Sequence, residues 1–190
     1  MMFPSTITIN RKGGSADLAA ALVAAIVVFL FVLSGTAETP LYTLKTMEGS
    51  KYRLSLWSGE ICTVKGGCLT QKLPPTEWCR QRRVAFTALQ TLSIVALVGS
   101  LALVVSLLLE LLAAKVYRVD LLFFASAVAT WLLLLVEWAM MVGVFHGPVC
   151  ANPSFNELNY QLGASFALFL MAWVFLSVLL VYGHWASVCG

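Results

Sequence analysis

The chain has 190 residues, of which 60% are hydrophobic and only 11% are charged, and its formal net charge is +3. A water-soluble domain of this size would leave large apolar patches exposed, so the composition excludes an ordinary soluble protein. The few basic residues form no stripe with aromatic residues between them, which argues against a nucleic-acid partner.

Four long apolar runs indicate helices that cross a membrane. Each run approaches the roughly 20 residues that an α-helix needs to span the hydrocarbon core, and only helices and closed barrels can satisfy their own backbone groups in lipid. We therefore predict an all-α membrane protein, a four-helix transmembrane bundle with a small β-containing extracellular loop domain. The chain forms one domain, 1–190, with spans at about 18–34, 84–109, 120–145 and 162–182 and outer loops at 35–83 and 146–161.

The first apolar run also has features of a secretory signal peptide. Arg11 and Lys12 precede it, and the small residues Gly35, Thr36 and Ala37 follow it, as at a cleavage site after Ala37. The run is longer than the roughly 15 apolar residues that are usual for a signal. We therefore expect it to be retained as the first transmembrane helix, with cleavage after Ala37 as the alternative.

The large loop contains a pattern typical of strands. Apolar and polar residues alternate over 52–57, which predicts a half-buried strand. Ser58 and Gly59 are predicted to form a turn, 61–64 a returning strand, and 66–67 a second turn. A small β-layer resting on the outer end of the bundle is therefore expected.

Four cysteines, Cys62, Cys68, Cys79 and Cys150, fall in the two loops that share one side of a four-span protein. An even set on one face favours disulfides in an oxidising compartment, with free thiols or a metal site as the alternatives. Cys62 and Cys68 bracket the second turn closely enough for a bridge. Cys79 and Cys150 would tie the start of span two to the loop after span three, although four cysteines allow three pairings.

The orientation of the chain is the point on which two sequence rules disagree. Eight of the twelve lysines and arginines lie on the side of the large loop, so the positive-inside rule would place that loop in the cytoplasm. Arg80, Arg82 and Arg83, at a span end, support that reading. The cysteines, and Arg11 and Lys12 before the first span, favour the large loop outside and both termini in the cytoplasm, and we predict this orientation at the plasma membrane.

No catalytic constellation is recognisable in the sequence. The metalloprotease, nucleophile-elbow and phosphate-loop motifs are absent, so we predict no enzymatic activity and no cofactor. His146 and His184 would lie on opposite sides of the membrane, so no shared metal site is expected. Asn152 is followed by Pro153, which spoils the one Asn-x-Ser sequence of the loops.

Glu137 is the exception among the spans, because it places a carboxyl inside the third apolar run. An ionisable group in a membrane is costly and marks a functional site by default. A proton relay, a cation site and an ion pair with Arg82 or Arg83 are open readings. The structural alternative is a carboxyl that is protonated or hydrogen-bonded to a neighbouring helix.

Several motifs of the chain resemble those of the amastins, small four-span surface proteins of trypanosomatid parasites. The likeness covers most of the chain and includes the end of span one, the first outer loop, the entry to span two and span four. The architecture is also similar to that of claudins. The residues that match the loop signature are Leu54, Ser55, Leu56, Trp57, Gly59, Cys62, Trp78, Cys79, Pro148 and Cys150.

The resemblance implies a surface protein with a structural or interaction role at the boundary between host and parasite. The partners to expect are membrane lipids and either a second copy of the chain or a host-membrane component. Arg53 stands where the family signature has its first cysteine, so Cys62 must find another partner, with Cys68 the nearest. The alternative function is a component of ion or proton transport that uses Glu137.

Overall fold

Four long helices and one small sheet make up the computed structural model, which describes residues 15–37, 39–46, 49–63, 66–76, 78–112, 119–147 and 153–189. All four helices are long and apolar enough to cross a membrane, which confirms the predicted fold class. In chain order the elements are α1 (Ser15–Thr36), β1 (Tyr42–Lys45), β2 (Lys51–Leu54), β3 (Ser58–Cys62), β4 (Cys68–Lys72), α2 (Arg80–Leu111), α3 (Val119–His146), β5 (Gln161–Leu162) and α4 (Ala164–Cys189).

Buried residues recur along each helix at alternating spacings of three and four. Such a repeat keeps one narrow seam of every helix against its neighbours and is typical of left-handed, coiled-coil-like bundles. Each helix packs against two others, so that α1, α2, α3 and α4 form a ring in that order. The seam residues of α2 are Phe86, Leu89, Ser93, Ala96, Ser100, Leu103 and Leu107. Those of α3 are Ala127, Thr130, Leu134, Glu137, Met141 and Val144.

The opposite face of each helix is apolar as well but exposed. On α2, Val98, Leu101 and Val105 carry this exposed surface. Because lipid tails are as apolar as a protein interior, a helix in a membrane needs no polar outer face. The bundle-facing seam therefore mixes apolar residues with small and polar ones, among them serine, alanine and threonine, whereas the exposed face of α2 carries large apolar side chains.

One antiparallel sheet joins the loop between α1 and α2 to the loop between α3 and α4 at a single end of the bundle, which we call the outer end after the predicted orientation. Its strand order is β4-β3-β2-β1-β5. The short strand β5 comes from the second loop and pairs with β1 from the first, with Tyr42 opposite Leu162. The two loops therefore lie on the same side of the four helices, and they are held together by backbone hydrogen bonds.

The turn predicted at Ser58 and Gly59 is wrong, because both residues belong to β3. The chain reverses earlier, where the Ser55 backbone N–H donates to the Ser58 carbonyl (2.8 Å) and the Ser55 hydroxyl accepts from the Ser58 N–H (2.9 Å). A serine hydroxyl that accepts from backbone N–H groups two and three residues later favours a tight turn. The alternation over 52–57 was misleading because Leu56 and Trp57 are turn residues packed on the bundle.

Candidate functional site

The outer sheet is anchored to the bundle by the β2–β3 turn. Leu56, at its apex, is completely buried. The Trp57 indole N–H donates to the carbonyl of Thr36 at the end of α1 (2.6 Å), and the Gln90 amide on α2 donates to the carbonyl of Leu56 (2.7 Å). These two bonds satisfy polar groups that burial would otherwise leave unpaired. The turn therefore fixes the sheet to the ends of two helices.

Tyr42 forms a second anchor, at the start of β1. Its ring is completely buried and stacks on Phe145 (5.6 Å between ring centroids) and Phe155 (4.9 Å). Its hydroxyl donates to the carbonyl of Met141 on α3 (2.7 Å). Burial raises the pKa of Tyr42 above its ordinary value, so the hydroxyl stays neutral and remains a donor. Tyr42 thus closes the outer end of the bundle. Its hydrogen-bond partner, Met141, lies about one helical turn after Glu137 on α3.

The hairpin of β3 and β4 is the most exposed part of the sheet. Cys62 and Cys68 lie directly opposite each other in its register and form a disulfide. All five residues of β4 are exposed, including the apolar side chain of Leu69 at 70% exposure. The bridge joins the two strands at the turn end of the hairpin and so restrains a short, exposed strand that has few packing contacts.

Glu60, Cys62 and Cys68 are close enough in space to suggest metal ligands. The two sulfur atoms are already joined in the disulfide, and a disulfide offers no thiolate to a metal. Glu60 instead forms an ion pair with Arg53 across the strands (3.7 Å). Both side chains are partly exposed, and pairs of this kind contribute little stability.

The signature residues lie around these anchors rather than in one pocket. Leu54 and Gly59 form a cross-strand pair, and Ser55 and Trp57 shape and hold the turn. Cys79, just before α2, is also disulfide-bonded. The predicted partner Cys150 and the signature residue Pro148 lie outside the described residues, so the bridge between Cys79 and Cys150 stays a prediction.

Glu137 is completely buried at a seam position of α3, beneath the anchored sheet. Its Oε1 atom shares a hydrogen bond with Ser93 Oγ on α2, and Oε2 has no partner among the described residues. The sequence left open an ion pair with Arg82 or Arg83. Ser93 lies ten residues beyond Arg83, or about 15 Å along the helix. Glu137 therefore contacts a hydroxyl and not a guanidinium.

The hydrogen bonds of Ser93 indicate the protonation state of Glu137. Besides its contact with the carboxyl, Ser93 Oγ donates to the backbone carbonyl of Leu89 (2.9 Å). A hydroxyl has one proton to donate, and a carbonyl oxygen can only accept. Both bonds form together without sharing the single hydroxyl proton when the carboxyl of Glu137 is protonated and donates to Ser93. A neutral carboxyl also avoids the cost of an unpaired charge inside the membrane.

Sequence reasoning found Glu137 but missed its hydrogen-bond partner Ser93 and the sheet anchor Tyr42. Ser93 gives no signal, because serines are common in transmembrane helices and its partner is 44 positions away. Tyr42 sits in a four-residue strand without a clear alternating pattern. The anchoring role of Tyr42 depends on contacts with α3 and the second loop, which no local sequence pattern shows.

The comparison with protein families agrees with these features. The model of the family described as Amastin surface glycoprotein matches residues 26–182. The match includes the whole sheet, α2, α3, the second half of α1 and most of α4. No curated protein matches the chain. Since the family match extends over most of the 190 residues, the chain is a member of the amastin surface glycoprotein family.

Proposed function

We propose that this protein has a structural or interaction role at the cell surface, where it presents the disulfide-clipped sheet to the host side of the host–parasite boundary. The sheet lies in the extracellular space, and both termini lie in the cytoplasm of the parasite. The protein carries out no catalysis in this role. It associates with membrane lipids and with a second copy of the chain or a host-membrane partner.

The observation that carries the proposal is the way the sheet is built. Strands from both outer loops form one layer, two buried anchors hold it on the bundle, and the Cys62–Cys68 bridge clips its exposed hairpin. A rigid layer costs less conformational entropy when it binds a partner than a flexible loop does. Disulfides are stable in the extracellular space and rare in the cytosol.

Four of the eight basic residues on this side do not count against the proposal, whereas Arg80, Arg82 and Arg83, at a span end, are the charges that do. Lys45, Lys51, Arg53 and Lys72 lie on strands of the folded sheet. The positive-inside rule counts charges of short loops near span ends, and long loops and domains are translocated largely regardless of charge. The first span usually dominates the orientation, and Arg11 and Lys12 flank it on the other side.

Thiol labelling on intact cells tests this orientation. We expect Cys62 and Cys68 to react with a membrane-impermeant maleimide only after reduction, because their thiols are otherwise joined and face the medium. Cys189, at the opposite end of α4, should react only after permeabilisation and serves as the internal control. A double variant, Cys62→Ser with Cys68→Ser, should lose the reduction-dependent signal of these two residues. Labelling of Cys62 and Cys68 without reduction, and only in permeabilised cells, would invert the topology and refute the proposal.

A second candidate function, proton or cation transport, is favoured by one specific observation. Within the part of the chain that the structure describes, the buried Oε2 atom of Glu137 has no hydrogen-bond partner, and ionisable groups inside membranes mark ion and proton pathways. Transport requires the proton of Glu137 to leave. The interaction role requires only that the neutral carboxyl stays bonded to Ser93.

Glu137→Gln separates the two functions. An amide keeps the shape of the neutral carboxyl and donates to Ser93, so we expect the free energy of unfolding to change by less than about 1 kcal/mol. In proteoliposomes with an internal pH indicator, the interaction role predicts equal proton leak for wild type, Glu137→Gln and protein-free vesicles. Ser93→Ala is the matched control, because it removes the hydrogen bond between α2 and α3 but keeps the carboxyl of Glu137. Proton flux in wild type and Ser93→Ala that disappears in Glu137→Gln would establish transport instead.

A further inference from the structure

The register of the sheet divides its side chains between two faces. Residues directly opposite each other on neighbouring strands project to the same face, and successive residues of one strand alternate between the faces. Tyr42 and Leu54 are opposite each other and pack on the bundle, so their face is the inner one. The other face, which we call the outer face of the sheet, carries every charged residue of the five strands, namely Lys45, Lys51, Arg53, Glu60 and Lys72.

Most of the positive charge on the outer face is not compensated. Lys45 and Lys51 are both exposed and lie directly opposite each other, an arrangement of like charges that destabilises a sheet. Glu60, the one acidic residue of the strands, pairs with Arg53 (3.7 Å). Within the described part of the chain, the three lysines of this face form no ion pair. The whole segment 42–72 contains five basic and two acidic residues, so its net charge is +3 wherever its remaining side chains lie.

The basic residues of the outer face follow a diagonal. Lys45 and Lys51 pair at the end of β1 and β2 that lies away from the bundle. Arg53 is two residues further along β2, and Lys72 lies at the other end of the sheet, on the edge strand β4. With about 4.8 Å between strands and about 3.4 Å per residue, the diagonal is about 20 Å long. Separate cations along such a line suit an extended polyanion, since a compact anion could reach only one or two of them.

The remaining chemistry of the outer face favours a glycan as that polyanion. Its uncharged strand residues include Thr43, Ser58 and Thr70, which offer hydroxyl groups, whereas both strand tyrosines project to the inner face. Proteins that bind single-stranded nucleic acids stack the bases on aromatic side chains, and the strands place none on this face. A sulfated polysaccharide combines closely spaced anions with hydroxyl groups, and lysines and hydroxyl side chains can bind both.

We propose that the outer face of the sheet binds a sulfated polysaccharide, with Lys45, Lys51 and Lys72 contacting separate sulfate groups along its chain. Lysine suits this partner because its compact ammonium group meets single anions from a flexible stem. Binding also offsets the repulsion between Lys45 and Lys51 that the sheet otherwise bears. The place of this contact at the host–parasite boundary rests on the proposed function, because it requires the sheet to lie outside. The binding itself does not depend on the orientation of the chain.

Binding of a short heparin fragment to the full-length, disulfide-intact protein tests the proposal. The protein is held in nanodiscs of phosphatidylcholine, in which both sides of the bilayer are accessible, and the affinity is measured from low to physiological salt. We expect Lys51→Gln to lower the affinity about three- to fivefold and the double variant, Lys45→Gln with Lys51→Gln, to lower it at least about tenfold. The slope of log affinity against log salt should become shallower by about one for each lysine removed, because fewer counterions are released. Arg80→Gln, which removes one exposed charge outside the sheet, should leave both quantities unchanged.

A folding control and a competitor keep the proposal falsifiable. Thermal unfolding shows whether the double variant is folded, and if it is not, Lys72→Gln decides, with a loss of about three- to fivefold supporting the site and no loss overturning it. Equal affinity in wild type and a folded double variant would overturn the proposal. Displacement of the heparin fragment by an oligonucleotide of equal charge as effectively as by heparin itself would also overturn it, because the face would then attract any polyanion. An inverted topology in the thiol-labelling experiment would refute the surface role and leave these binding results unchanged, so the two proposals can fail separately.

Discussion

Gly163→Ala is expected to separate the second outer loop from the first and to destabilise the protein by about 3 kcal/mol, the upper end of typical overpacking costs. Gly163 joins β5 to α4, and its N–H donates to the carbonyl of Leu41 (2.7 Å). A Cβ atom at this position would collide with the backbone carbonyl oxygen of Pro40 and would lie 3.0 Å from that of Leu41. Backbone cannot move aside as a flexible side chain can, so the strand pair between β1 and β5 would have to open.

Gly143→Ala is the matched control for this substitution. Gly143 lies in α3, and a Cβ atom there would meet no atom within 4 Å. Alanine in a helix is favoured over glycine by about 1 kcal/mol, so this variant should be as stable as wild type or slightly more stable. Tryptophan fluorescence during thermal unfolding in nanodiscs measures both variants. A midpoint for Gly163→Ala as high as that for Gly143→Ala would show that the two loops are not locked at this glycine.

The helices could be predicted from sequence because the membrane imposes a strong and local rule. A span must be long, apolar and helical, and each of these properties is visible in one stretch of chain. The seam along each helix could not be predicted in the same way, since both faces are apolar in lipid. The small residues Ala96 and Ser100, four positions apart, hint at a helix contact, and the structure shows them buried while Val98 and Leu101 are exposed.

The sheet and the candidate site were predictable only in part, and for related reasons. The hairpin with Cys62 and Cys68 is local, so its turn and its bridge could be anticipated from spacing. The pairing of Tyr42 with Leu162 joins short strands 120 positions apart, and neither strand has a pattern of its own. Glu137 could be identified from sequence because it is an ionisable residue inside an apolar span. Its partner Ser93 could not, because that contact depends on how α2 packs on α3.

Tyr42→Ala is expected to cost about 3 to 5 kcal/mol, because it removes a completely buried ring from between Phe145 and Phe155. Tyr42→Phe keeps the ring and removes only the hydrogen bond to the carbonyl of Met141, so it should cost about 1 kcal/mol. Tyr52→Ala, at a half-buried position of the neighbouring strand, is the matched control and should cost less than Tyr42→Ala. Thermal unfolding in nanodiscs measures all three variants.

The ratio of the two Tyr42 effects decides how the sheet is held. If packing dominates, Tyr42→Phe retains most of the stability. Limited proteolysis of the outer sheet is then faster in Tyr42→Ala than in wild type. The helices stay inserted in both variants, because each span is stable in the bilayer by itself. If Tyr42→Phe is as damaging as Tyr42→Ala, the hydroxyl bond to α3 is the dominant anchor instead. Equal proteolysis of wild type and Tyr42→Ala would show that Tyr42 does not anchor the sheet. The turn at Leu56 and Trp57 would then be the remaining one of the two anchors, and the rigidity on which surface presentation depends would rest on its contacts with α1 and α2.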